Sequence, residues 1–328
     1  MSQNSLVLPT TGTVSGLSMT QDTNAALDTL NTLASGTGAP ASGEAGQLWH
    51  DTTNNLIRIL SLDSSSWIPW LRLSETLYLA APYFTNSVVG SARNLVITQT
   101  GNATATAVAE EVVVETALGG FGYKISNFSV TLTASGNGAN GLDTGSLAAN
   151  TFYALYAIYN PTTSTAAILA TLSSTSNGSI YAGTNMPSGY TMSALIGFML
   201  TNGSSHFVVS TQLDREVFYQ SPIAVLSNAT GVSSLTSVSL SSAVPTTAKS
   251  CSGYMTAGNG AACNLQVSAD GTGTGLQQGG KLSASLSDYI PTLNWRHLPI
   301  LASSQAMYWQ SGNTTASSVN ASVGSFTF

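Results

Sequence analysis

The chain has 328 residues, and only 7% of them are Asp, Glu, Lys or Arg, against roughly 25% in an ordinary soluble domain. Formal net charge is −6, 43% of residues are hydrophobic and 89 are Ser or Thr. This excludes charge-driven disorder, a collagen-like chain, since the 31 Gly fall on no three-residue period, and a helix-dominated protein, whose surface would carry Glu, Lys and Arg. The expectation is an all-β chain with a hydroxyl-rich exterior, long enough for two or three domains. Its 8 basic residues are scattered, so no nucleic-acid-binding patch is expected. No apolar run nears the ~20 residues of a membrane span, and the opening MSQNSLVLP lacks the regions of a secretory signal. No membrane insertion is expected, and synthesis in a cytosol is.

In chain order, residues 1–19 read as an extended arm. Residues 20–35 read as a helix: Thr20 or Asp22 caps it, Ala26, Leu27, Leu30, Leu33 and Ala34 form one stripe, and Gly36 and Gly38 stop it. A three-stranded meander follows, Gln47–Asp51, Leu56–Leu60 and Trp67–Trp70, with turns at 52–55 and 63–66. Trp49, Trp67 and Trp70 are its expected aromatic core. So little buried area points to oligomerisation.

From residue 80 the pattern is strands again. They are expected near Leu95–Thr100, Thr104–Glu115 and Phe128–Ala134, then at Thr151–Tyr159, apolar on both faces and so buried between layers. Ala166–Leu172 is its partner. Met192–Thr201 and His206–Thr211 read as a hairpin about Asn202-Gly203, and Glu216–Tyr219 closes the unit. Beyond 222, strands are expected near Val232–Leu240, Ser250–Thr256, Ala262–Ala269, Lys281–Ser287, Ile300–Ala302, Met307–Gln310 and Ser318–Phe328. The expected organisation is therefore a short arm, helix and Trp-containing meander over 1–79, an antiparallel β-sandwich over 80–221, and a second, jelly-roll-like β-sandwich over 222–328.

Catalytic and metal patterns are sparse. Glu110, Glu111 and Glu115 sit in one strand, where only Glu111 and Glu115 share a face, and a solvated strand edge accounts for them better than an acid–base pair. Asp214-Arg215-Glu216 reads as a surface or inter-subunit ion pair. His50, His206 and His297 are far apart in sequence, and no Gly-x-Ser-x-Gly elbow is present. Gly271, Gly273 and Gly275 follow Asp270 without the Lys-Ser/Thr ending of a phosphate loop, which leaves a surface loop. No cofactor, metal or catalytic residue is expected. Cys251 and Cys263, with 11 residues between them, either form a disulfide or are two free buried thiols. The aromatic set Tyr254, Tyr289, Trp295, His297, Tyr308 and Trp309, among Asn, Gln and Ser, suits a saccharide or pilin surface. Ordinary core packing is the alternative for each. Trp295-Arg296-His297, placed in a loop after Pro291, is the least core-like.

Two stretches carry a family resemblance. Asn24-Ala25-Ala26-Leu27 with Gly46-Gln47-Leu48-Trp49, Asp51-Thr52-Thr53, Leu56, Arg58 and Trp67-Ile68 resembles a module near the start of bacteriophage tail fibre and related virion appendage proteins. Asp143, Gly145, Tyr153, Tyr156, Ile158, Pro187, Gly189, Tyr190, Ile196, Gly197, Arg215 and Tyr219 resemble a second segment of such proteins. The resemblance implies a structural virion protein made in the host cytoplasm, a tail fibre or tail-tip receptor-binding protein and not an enzyme. It would be a homotrimer whose N-terminal region docks on tail or baseplate proteins and whose 222–328 head binds a bacterial surface glycan or pilus. A head fibre or capsid decoration protein is the alternative, and a small polysaccharide depolymerase the third reading.

Overall fold

Alternating apolar and hydroxyl side chains make most of this chain strand, as their period of two dictates. The computed structural model describes residues 15–18, 20, 21, 24, 35–40, 45–72, 88–173, 178–258, 263–281, 290–301, 305–312 and 317–328. Two units separate at Thr85/Asn86.

The first unit holds β1 (Ser35–Gly36), β2 (Leu48–Asp51), β3 (Leu56–Leu60) and β4 (Trp67–Arg72), in that order in one sheet. The β2–β3–β4 meander is as expected. The helix expected over 20–35 is seen where its residues are described: Thr20, Gln21 and Asn24 are helical, and its Leu stripe lies outside the described residues. Its bounds differ: Gly16–Ser18, inside the expected extended arm, are helical too, and Ser35, with Gly36, pairs in parallel with His50 and Asp51. Asp51 organises the β2–β3 turn. Its carboxylate accepts from the Thr53 and Asn54 amides, each at 3.1 Å, from Asn54 Nδ2 at 2.8 Å and from Arg58 Nε at 2.9 Å. Burial pushes this carboxyl up, but the Asn54 side chain, the Arg58 guanidinium and the Asn54 amide together hold it below its ordinary value. Trp49 is buried and meets Trp67 edge-on at 5.6 Å. Trp70 does not join this core. The β3–β4 register slips between Leu71 and Pro69, leaving Trp70 in a bulge and exposed.

The second unit runs through β5 (Ala92–Arg93), β6 (Val96–Gly101), β7 (Thr104–Glu115), β8 (Gly122–Thr133), β9 (Gly141–Leu142), β10 (Phe152–Asn160), β11 (Thr165–Leu172), β12 (Met192–Leu200), β13 (Ser210–Leu213) and β14 (Glu216–Ala229). It continues through β15 (Thr236–Ser239), β16 (Ser250–Gly258), β17 (Cys263–Ser268), β18 (Gln277–Lys281), β19 (Thr292–Pro299), β20 (Ala306–Gln310) and β21 (Ser317–Thr327). One sheet orders them β19-β16-β21-β14-β13-β6-β7-β12-β10-β11-β9, with β5 and β8 also on β7; a second is β15-β20-β17-β18. Strand β10 is buried along its whole length. Tyr153, Leu155 and Ala157 join one core with Ala105, Val112, Phe128 and Leu132. Phe152, Ala154 and Tyr156 join the other with Met255, Leu265, Trp295 and Phe326. The strand thus lies between two packed layers, as its doubly apolar sequence demands.

Three expectations are corrected here, and the strand expected at Lys281–Ser287 lies almost wholly outside the described residues. The drawn boundary at 221/222 falls inside β14, and both the large sheet and the β10-to-Phe326 core run through it; residues 86–328 form one unit, not two separate sandwiches. The Asn202-Gly203 hairpin is cut short. The chain reverses there, with the Asn202 amide donating to the His206 carbonyl, the Val208 amide to that of Leu200 and one Thr201–Phe207 bridge, but the ladder stops, because β12 pairs with β10 and β7 while β13 pairs with β14 and β6. Ile300 and Leu301 follow the strand Thr292–Pro299 rather than starting one. Lys281 ends β18, and residues 282–289 lie outside the described set.

Candidate functional site

The residues of the second family resemblance hold the fold together. Asp143 accepts from Thr171 Oγ1 at 2.8 Å and Tyr181 OH at 3.0 Å. Tyr156 OH donates to the Gly178 carbonyl and Tyr219 OH to that of Ala243. Gly189, at φ +82°, leaves no room for a Cβ against the Asn160 amide. The Arg215 guanidinium donates to the Gly90 carbonyl at 2.7 Å and stands 5.0 Å over the Phe328 ring.

Glu110, Glu111 and Glu115 take separate partners. Glu110 accepts from Asn94, Glu115 from the Gly119 amide, and Glu111 faces Lys124 at 3.8 Å on the surface. Asp214, Arg215 and Glu216 do not pair with one another as expected. Asp214, with Arg215 in the turn between β13 and β14, accepts the Leu95 amide, and Glu216, the first residue of β14, accepts the Ser325 hydroxyl. No His, Cys, Asp and Glu cluster suited to a metal occurs among the described residues. The Asp270 carboxylate accepts the side chains and amides of Thr274 and Thr272, which hold it well below the carboxylate range and tie off the glycine loop. Cys251 and Cys263 are both buried and form no disulfide. Cys251 is in the large sheet and Cys263 in the small one. Burial pushes the Cys251 thiol up to about 11, opposed by the Trp295 indole beside it.

The aromatic set divides. Trp309 is core, and Tyr308 is half-buried on β20 of the small sheet. Tyr289 lies outside the described residues. Tyr254 is 38% exposed on β16, and Trp295 is only 1% exposed. The stretch Asn294–His297 is strand β19, not a loop, and its alternation Thr292-Leu293-Asn294-Trp295 puts Trp295 inward.

One feature joins Tyr254 and Trp295. The ladders of β14, β21, β16 and β19 all slip at the same level. Ser325 and Val323 flank Gly324 opposite both Phe218–Ile223 and Ser252–Gly253. Across β16, Cys251 and Gly253 pair with Leu298 and Trp295, so Arg296 and His297 oppose Ser252 alone. Such bulges bend a sheet and re-aim its side chains. Here they send Arg296 and His297 both outward, His297 at φ +46°. The His297 amide donates to Ser252 Oγ at 3.0 Å. Gln277 fixes the bulge from both sides, accepting the Arg296 amide at 3.0 Å and donating to its carbonyl at 2.9 Å.

The result is a shallow depression of about 380 Å³ lined by Phe218, Tyr254, Asn294, Arg296, Ser252 and Ser325 among others. Its floor is Gly253 and Gly324. Beneath Gly253 runs the Trp295 ring, 2.5 Å from where a Cβ would stand. Phe218 and Tyr254 are both about two-fifths exposed, at 39% and 38%. His297 is exposed beside the depression but does not line it. Phe218, Asn294 and the two glycines escaped the sequence reading; glycine pairs in adjacent outer strands were the available signal. No family model, curated protein or solved structure matches the chain.

Proposed function

We propose that this chain is a structural virion protein, a phage tail fibre or tail-tip receptor-binding protein, and that it works by non-covalent adhesion to the bacterial surface. The observation that carries the reading is the line of bulges across β14, β21, β16 and β19, which opens a depression flanked by two exposed aromatic rings and short polar side chains. Flat apolar faces with small donors around them suit sugar rings. The resemblance of residues 20–72 to virion-attachment modules supplies the anchoring end, and the small meander core supports assembly as a homotrimer. Three copies on one fibre convert weak contacts into strong avidity.

The test uses the whole chain, because removing 222–328 would strip β16, β19 and β21 from a shared sheet. Fluorescently labelled protein is titrated onto host and non-host cells. Saturable binding confined to host cells, displaced by unlabelled protein, is the expected result. Absence of saturable binding by folded protein refutes the adhesion reading and favours a head-fibre or capsid-decoration role.

A further inference from the structure

We infer that the depression between Phe218 and Arg296 takes a carboxylate-bearing saccharide, with its acid group at Arg296. This rests on the adhesion reading and names its ligand class. Arg296 is exposed, lines the depression and has no carboxylate partner among the described residues, where the ion pairs are Arg58–Asp51 and Lys124–Glu111. In a chain of net charge −6 with 8 basic residues, an unpaired arginine aimed into a depression is a specific placement. Its main chain is clamped by Gln277 on both sides, which fixes the root of the side chain and leaves the guanidinium open. A planar guanidinium matches a carboxylate in a two-point contact.

The rest of the depression suits a sugar ring. At Gly324, where a Cβ would meet nothing nearer than 3.9 Å, the floor carries no side chain, so a ring can approach the main chain closely. Tyr254 and Phe218 offer ring faces and Asn294, Ser252 and Ser325 offer donors and acceptors. The charge around the site is also asymmetric. Arg296 stands on β19, whereas Glu216, whose carboxylate accepts Ser325 Oγ at 2.8 Å, stands three strands away on β14. At 4.7–4.9 Å per strand that is about 14 Å, the reach of a short oligosaccharide with its acid at one end and neutral hydroxyls at the other. A protein such as pilin fits less well: a stable protein interface needs about 800 Å² per partner, and a depression of about 380 Å³ holds one or two rings.

The probe is surface polysaccharide extracted from the cells that bind, compared with the same material after chemical reduction of its carboxylates to alcohols. The expected result is binding of the native polymer by the full chain, weakened roughly 10- to 100-fold by carboxylate reduction and equally by Arg296→Gln. Arg296→Lys should retain part of it, and both variants should melt with the parent protein. Equal binding of native and reduced polymer, or no effect of Arg296→Gln, overturns the inference while adhesion stands. So does an inert polysaccharide with cell binding that is destroyed by treating the cells with protease. Failure to bind any cell overturns the adhesion reading itself.

Discussion

Gly253→Ala is the sharpest perturbation of the bulged sheet. A Cβ at Gly253 would press on the Ser322 carbonyl oxygen of β21 and stand 2.5 Å from Cζ2 of Trp295. Neither neighbour can yield easily. Ser322 is part of the ladder opposite Tyr254, and Trp295 is 1% exposed within the larger core. Overpacking typically costs 1–3 kcal/mol, and a main-chain obstacle places this case near the top, at about 3 kcal/mol. In a unit the size of Asn86–Phe328, each kcal/mol moves Tm by about 2–4 °C, so calorimetry should show a fall of about 6–12 °C. Gly324→Ala is the control. Its nearest neighbour would be the Ser252 carbonyl at 3.9 Å, so Tm should hold or rise by about 2 °C as the unfolded chain loses freedom. Gly253→Ala melting with the parent protein, or both variants losing stability equally, would refute this packing.

Other consequences follow from single side chains. Asp51→Asn should cost the first unit about 1.5–3 kcal/mol, discounted because Arg58 is 21% exposed, and Trp49 fluorescence reports it. Because the Asp51 carboxyl is held below its ordinary value, its contribution is complete above about pH 4 and is lost as pH falls further; the Asn variant should lack that acid transition. Burial, aided by Asp143, pushes Tyr181 up to about 12, so its contribution is full below about pH 10 and disappears between there and pH 12. Tyr181→Phe should flatten that alkaline loss in a melting series. Alkylation of native protein should leave Cys251 and Cys263 unmodified, and unfolding in denaturant without reductant should expose two reactive thiols. Light scattering on the purified chain should give three times the chain mass if the homotrimer forms; a monomer would remove the avidity.

The sequence showed the strands better than their partners. Leu48–Asp51, Thr104–Glu115 and Phe152–Asn160 are legible because apolar spacing and turn residues act locally. The Asn202-Gly203 turn forms but its ladder does not continue, since β13 finds its partner in β6, more than a hundred residues away, and local turn chemistry does not report that pairing. The same non-local pairing hid the continuity of the sheet at 221/222. In the proposed binding face, Tyr254 was readable as an aromatic on a polar strand. Trp295 was misplaced because its inward turn depends on the alternation of Thr292–Trp295 continuing up to a bulge, and a bulge is defined by the opposite strand. Phe218 was invisible for a related reason: it becomes part of the site only through Ser325 of β21 beside it.

Binding to host cells by the double variant Phe218→Ser/Tyr254→Ser, measured beside the parent protein, tests the proposed adhesion face most directly. Both rings are two-fifths exposed, so the variant should fold and melt nearly as the parent does while its half-saturating concentration rises at least tenfold, roughly the loss of two ring contacts. An unchanged binding curve from a folded variant would contradict the assignment of this face.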